Sequence, residues 1–233
     1  MELTKLKEQL CEVCHMMWQQ GWTAANDGNV SARAGDGVFL ATPTGVSKGA
    51  MLPEMLVLVG ADGKMLEENA CGYRPSSELK MHMRCYEQRE DVAAVVHAHP
   101  PTATAFACAE RALDDYSLTE GVVSLGCVPL APYATPSTNE VPDSITPLLA
   151  SHDAVLLAHH GALTVGPDLM SAYYHMETVE LWAKISLNAR LLGGAVELPR
   201  EKLDTLFYLR DNYYHLPGRH PGYEKEKERG GEK

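Results

Sequence analysis

Two short apolar runs, each closed by histidine, constrain this chain more than any other part of its sequence. Val92-Ala93-Ala94-Val95-Val96 leads into His97-Ala98-His99, and Ala154-Val155-Leu156-Leu157-Ala158 leads into His159-His160. Runs this short and apolar, bounded by turn signals, read as buried strands, because a helix buried in a core runs for about ten residues or more. Buried strands need cover, and the segments between them supply it. Residues 2–20 carry Leu3, Leu6, Leu10, Val13 and Met17 at helical spacing, with Gly21 as the stop. Residues 77–89, 102–109, 141–151 and 168–192 read as further helices. The first has serine at its start, the second has proline beside its first turn, and the last is closed by Gly193-Gly194.

Turn chemistry then fixes how some strands connect. Asp36-Gly37 separates residues 30–33 from 38–41, and Asp62-Gly63 closes the apolar run 55–59, both as hairpin signals. Residues 128–131 read as one more short strand. Hairpins and strand–helix alternation in one chain predict an α/β protein, a mixed sheet with helices packed on its faces. No shift in composition marks a boundary, so residues 1–216 are expected to form a single domain. Residues 217–233 mix glycine with alternating Lys and Glu and read as a flexible charged tail.

Charge and cysteine usage exclude several roles. With 20 Lys+Arg against 31 Asp+Glu, the net charge of −11 argues against nucleic acid as a partner, since phosphate backbones are bound by basic patches. No apolar run approaches the roughly 18 residues of a membrane span, and Met1-Glu2-Leu3-Thr4-Lys5 does not read as a signal peptide. The six cysteines (11, 14, 71, 85, 108, 127) show no framework spacing, which points to reduced thiols and a cytoplasmic location.

The ten histidines carry most of the chemical information. His97 and His99 stand two apart at a strand end, so their side chains point to the same side. Two imidazoles so placed suit a tetrahedral ion of zinc type. His159 and His160 are adjacent and face opposite ways, so one of them can join the pair; periodicity leaves open which. Three histidines from two strand ends, with a position to spare, is the pattern of a catalytic metal site. Ser76-Ser77-Glu78 precedes an amphipathic helix, where hydroxyls and free N–H groups can cradle a phosphate, although a plain helix cap uses the same residues. Glu78 beside such a site can serve as a fourth ligand or a general base. Gly28-Asn29 and Thr44-Gly45 are sharply turning loops that can bring amides to an anion.

Other motifs fail on context. Gly45-Val46-Ser47-Lys48-Gly49 fits a nucleophile elbow, but Pro53 stands where the elbow's helix should follow. Cys11 and Cys14 fall inside the first helix with no second cysteine pair. His82, mid-helix, reads as packing or as support for a ligand. Tyr73, Tyr116, Tyr213 and Tyr214 are possible proton donors, though a single tyrosine is more often a half-buried aromatic.

Taken in order, six blocks resemble the class II aldolase/adducin family. They are Gly28-Asn29-Val30-Ser31, Thr42-Pro43-Thr44-Gly45, Pro75-Ser76-Ser77-Glu78, Val95-Val96-His97-Ala98-His99, Ala131-Pro132-Tyr133-Ala134-Thr135 and His159-His160-Gly161. The resemblance spans residues 5 to 215. It implies a three-layer α/β/α fold around a mixed, mostly antiparallel sheet, assembled as a homotetramer with active sites between subunits. It implies Zn²⁺ (with Mn²⁺ or Co²⁺ as substitutes) held by His97, His99 and His160, with Glu78 as metal ligand and then base. Asn29, Thr44, Gly45, Ser76 and Ser77 would hold the phosphate of a sugar-phosphate substrate. The implied reaction is lyase chemistry: cleavage of a ketose 1-phosphate to dihydroxyacetone phosphate and an aldehyde.

One departure bears on the aldehyde end. The family's aldolases carry a tyrosine there, given by a neighbouring subunit, and the aligned position here is Leu118. Tyr213 aligns with a second aromatic near the C-terminus and is the expected proton donor. Relatives on this scaffold also work as 4-epimerases, dehydratases or decarboxylases of sugar phosphates. The epimerases usually carry Asp where this chain has Glu78, and the non-catalytic adducin-like modules lack the metal histidines.

Overall fold

The computed structural model describes residues 3–224. Helix α1 (Leu3–Gln19) leads into the hairpin of β1 (Asn29–Gly35) and β2 (Val38–Ala41), followed by β3 (Val57–Gly60) and α2 (Leu79–Gln88). Then come β4 (Ala94–Ala98), α3 (Pro101–Cys108), α4 (Thr119–Leu125), β5 (Leu130–Ala131) and α5 (Glu140–Leu149). The hairpin β6 (Ala154–Leu157) and β7 (Gly161–Gly166) precedes α6 (Leu169–Leu191) and α7 (Arg200–Leu209). Among the described residues the strands form one seven-stranded sheet in the order β3-β2-β1-β4-β7-β6-β5. Every neighbouring pair is antiparallel except β5 and β6. This is the mixed sheet that the residue pattern predicts, and the mostly antiparallel one that the family resemblance implies.

Side-chain alternation along the central strands builds the three layers. Ala94, Val96 and Ala98 of β4, with Val30, Leu156 and Ala162, pack beneath α1, α3 and α6. Val95, Val155, Leu157, Leu163 and Val165 face the other way, against α2 and α5. Strands covered on both faces have no solvent side to mark with polar residues, which is why β4 and β6 read as continuous apolar runs. His97 falls on the α2 side by the same alternation. No helix among the described residues is long and apolar enough to cross a membrane.

The structure shifts several expected boundaries. The predicted strand at 92–96 runs instead over Ala94–Ala98, because residues 89–92 are held in a turn by buried Arg89, which reaches Asp91 and Asp153 at 2.6 Å each. The predicted strand at 55–59 starts only at Val57, since Pro53–Met55 closes a 3₁₀ turn that the fixed φ of Pro53 favours. The strand expected at 128–131 shrinks to Leu130–Ala131. Three elements absent from the sequence reading are α4, β7 and α7.

The C-terminal segment also departs from expectation. Residues 217–224, read as the start of a loose tail, lie against the body of the fold. The Arg219 amide donates to Asp153 Oδ2 at 2.9 Å, His220 Nε2 meets the Val122 carbonyl at 2.7 Å, and the Tyr223 ring stacks near Tyr116 at 4.8 Å. Residues 225–233 lie outside the described residues.

Candidate active site and metal centre

Both strand ends deliver their histidines to one point. His97, the penultimate residue of β4, is fully buried, and its Nδ1–H donates to the Ala162 carbonyl of β7 at 2.9 Å. That bond fixes the ring and turns Nε2 toward the cleft, the arrangement seen at metal-bound histidines generally. His99 Nε2 lies 3.2 Å from His97 Nε2, and the rings of His97, His99 and His160 stand 4.7 to 5.0 Å apart. The sequence left open which histidine of the second pair takes part. The tight β6–β7 turn decides it: His159 takes a left-handed φ of 57° and points outward to Glu110, whereas His160 turns inward.

Glu78 completes the cluster from the opposite side. The helix expected from residue 77 begins at Leu79, and Ser76-Ser77-Glu78 forms a turn ahead of it, closed by Leu79 N–H to the Ser76 carbonyl at 3.1 Å. This swings the Glu78 carboxylate over the histidines, with Oε1 at 3.3 Å from His160 Nε2 and Oε2 at 3.4 Å from His97 Nε2. Two glycines permit the close approach. A Cβ on Gly161 would meet the Ala98 carbonyl at 2.5 Å and the His99 ring at 2.6 Å, and Gly28, at φ +72°, would strike Thr23 and the His97 carbonyl.

Electrostatics keep His97 and His99 neutral. Burial, and then the neighbouring His160 and His99, hold His97 well below the ordinary imidazole range; burial and His160 lower His99 likewise. Neutral rings offer lone pairs rather than protons. Glu78 Oε1 is buried without a hydrogen-bond partner, an arrangement that costs stability unless a cation answers it. Three converging imidazole nitrogens and an unanswered carboxylate oxygen fit a divalent ion of zinc type.

The predicted anion-binding residues gather beside this centre. Ser76 N–H donates to the Thr42 carbonyl and Thr44 N–H to the Arg74 carbonyl, pairing the two loops. A cleft of about 240 Å³ runs from His99 and His160 past Glu78 to Thr44, Ser76, Ser77 and Asn29. Gly45, next to Thr44 in the chain, has a positive φ of 76° that suits glycine but is not among the residues that line the cleft. Asn29 holds a double post: its Nδ2 donates to Glu78 Oε2 at 2.9 Å, and its Oδ1 faces His82 Nε2.

The sequence reading missed the depth of this support. His82 is buried and pushed down to about 3 by burial and by His97, and it passes the contact on to Ser31, which meets Tyr86. Ser137 also lines the cleft and donates its hydroxyl to Ser77 at 2.9 Å. Nothing in the local sequence marks it, since it reaches the site from a loop 60 residues downstream.

Comparison with known proteins decides the family. The model of the Class II Aldolase and Adducin N-terminal domain matches residues 8–187. The chain belongs to the class II aldolase/adducin family. It is 34% identical over 196 residues to the L-fuculose phosphate aldolase of Escherichia coli (strain K12), covering 84% of this chain and 89% of that one. It is also 34% identical over 185 residues to the 3-oxo-tetronate 4-phosphate decarboxylase of the same strain, covering 77% and 85%. A solved L-fuculose 1-phosphate aldolase superposes with a TM-score of 0.80 at 29% identity, covering 88% of this chain and 95% of that one.

Two tyrosines of this class II aldolase family member lie away from the cleft. Tyr213, the expected proton donor, is 72% exposed, in a π-helical turn with its ring against Tyr214. Tyr116 is fully buried, its hydroxyl donating to the Gly222 carbonyl and accepting from the Glu224 amide. Leu118 packs against the core below the sheet.

Proposed function

We propose that this chain is a metal-dependent lyase of phosphorylated sugars, an aldolase that cleaves a ketose 1-phosphate of the L-fuculose 1-phosphate kind. The observation that carries the reading is Glu78, a carboxylate that faces His97 and His160, beside His99, in a cleft also lined by hydroxyls. A divalent ion (Zn²⁺, with Mn²⁺ or Co²⁺ as substitutes) held by His97, His99 and His160 supplies Lewis acidity toward carbonyl and hydroxyl oxygens.

The chain's own residues do the rest. Ser76, Ser77, Thr44, Gly45 and Asn29 hold the phosphate and so set which carbon faces Glu78. In cleavage, the hydroxyl on the fourth ketose carbon gives up its proton, the bond between the third and fourth carbons breaks to release the aldehyde, and the electron pair stays on the third carbon of the ketone fragment as an enediolate. Glu78, once it has taken up a proton, delivers it to that third carbon, and dihydroxyacetone phosphate leaves. Asn29 fixes Glu78 Oε2, so the proton travels along one direction rather than many. Tyr213 stands exposed, so it serves the aldehyde end of a neighbouring copy's site in a homotetramer.

A second reading, decarboxylation, is favoured by Leu118. Loss of CO₂ from a 3-oxo acid phosphate leaves the same enediolate for Glu78 to protonate. It asks for no acid or base at the departing carbon, and the position that the family resemblance gives to a neighbouring subunit's tyrosine there is Leu118 in this chain. Both reactions yield dihydroxyacetone phosphate from the named substrates of the relatives, so the second product separates them. Incubating the metal-loaded protein with L-fuculose 1-phosphate and with 3-oxo-tetronate 4-phosphate should release dihydroxyacetone phosphate with an aldehyde from the first. Release with CO₂ from the second alone selects the decarboxylase, and release from neither sinks the lyase reading.

The phosphate site makes its own prediction. Ser77→Ala removes a hydroxyl that lines the cleft and meets Ser137. KM for the phosphorylated substrate should rise by about tenfold, the worth of one hydrogen bond to a charged group, and KM for an unphosphorylated analogue should rise less. Equal effects on both would reduce Ser77 to a turn residue.

A further inference from the structure

A second cluster of metal-type donors lies at the other end of β6. His160 follows the end of that strand, whereas His152 precedes its start, and there it meets Cys127, which follows α4, and Glu224 of the C-terminal segment. Cys127 Sγ lies 3.5 Å from His152 Nε2 and 3.3 Å from Glu224 Oε2, and the imidazole and carboxylate atoms are 3.2 Å apart. Bonds of about 2.3 Å to sulfur and about 2.0–2.1 Å to nitrogen or oxygen separate neighbouring ligands of a tetrahedral zinc ion by roughly 3.3–3.6 Å. The three distances sit close to that range.

We propose that Cys127, His152 and Glu224 form a second divalent-metal site, which clamps the C-terminal segment to the body of the fold.

Three further observations support it. His152 Nδ1–H donates to the Leu148 carbonyl at 3.0 Å, which leaves the Nε2 lone pair aimed at the other two donors. Nε2 and the Glu224 carboxylate oxygen stand 3.2 Å apart, a spacing that a proton or a metal ion between them satisfies. The segment that carries Glu224 is already seated by close packing: a Cβ on Gly126 would meet the His220 ring at 2.8 Å and Pro221 at 3.0 Å. Cys127 and His152 are buried, whereas the Glu224 side chain is 31% exposed, so an ion can enter from the carboxylate side. Burial and the Glu224 carboxylate push the Cys127 thiol up. Binding therefore displaces to solvent the thiol proton, together with any proton held between His152 and Glu224. A thiolate, imidazole and carboxylate set suits Zn²⁺, with Co²⁺ as its spectroscopic substitute.

Cobalt tells the two centres apart, because only this one contains sulfur. Titrating the reduced, metal-free, full-length protein with Co²⁺ should produce a thiolate-to-cobalt charge-transfer band in the near ultraviolet. The band should persist in His160→Ala and vanish in Cys127→Ser, and zinc analysis should show Cys127→Ser one equivalent short of the wild type. Glu224→Gln, at the accessible ligand, keeps the test open if Cys127→Ser does not fold: it should weaken the charge-transfer titration by about tenfold or more. Absence of the band from folded wild-type protein, or its survival in Cys127→Ser, overturns the proposal and leaves a protonated His152–Glu224 pair.

Discussion

Glu78→Gln is expected to fold and to keep its metal while turnover falls by about 10²- to 10⁴-fold, the usual cost of losing a general base. The carboxamide fills the same space. Its oxygen can still accept from Asn29 Nδ2, which now holds Glu78 Oε2 at 2.9 Å. Its NH₂ must then face His160 Nε2, where Glu78 Oε1 now lies at 3.3 Å. The three imidazoles are untouched, so metal content at saturating zinc should match the wild type. What is lost is the ability to carry a proton. Steady-state kinetics with metal analysis on the same sample separates these effects, and KM should change less than kcat. Wild-type turnover in Glu78→Gln would remove this residue from the chemistry, and both the aldolase and decarboxylase readings would need another base.

How much of this site the sequence disclosed depends on how far apart the interacting residues are. His97 and His99 were legible because strand periodicity puts residues two apart on one side, and because an apolar run led straight into them. The choice between His159 and His160 was not legible from periodicity, since it turns on a left-handed φ in a tight hairpin. The family resemblance supplied it. Strand β7, which begins and ends in glycine, has no strand assigned to it in the sequence reading. A side chain on Gly161 would collide with Ala98 and His99, so this glycine is what lets the three histidines converge. The Asn29–His82 contact joins residues 53 apart and exists only because β1 packs beside α2. No local pattern announces such a pair. The docking of residues 217–224 was missed for the opposite reason. Their composition is that of a tail, and what holds them is a few specific partners on the body: Asp153, Val122 and Tyr116.

Replacing any one of His97, His99 and His160 by alanine should cost one equivalent of bound metal and nearly all activity together. With two imidazoles and Glu78 left, the centre loses a nitrogen ligand, and the Lewis acidity that the ion would supply goes with it. The three variants should differ in stability, and that difference tests the geometry. His97 is fully buried and bonds to Ala162, so its removal opens a cavity and loses that hydrogen bond, each worth on the order of 1–3 kcal/mol. His99 and His160 are only partly buried, so their alanine variants should unfold near the temperature of metal-free wild type. Metal itself supplies the control. An ion at a hundred times its Kd adds about 2.7 kcal/mol to the folded state, so chelation should lower the wild-type Tm clearly, and readdition should restore both Tm and turnover. In His99→Ala and His160→Ala, chelation should take away only what remains at the Cys127 centre, and readdition should restore no activity. Wild-type metal content and turnover in all three variants would dismantle the centre, whatever the histidine distances say.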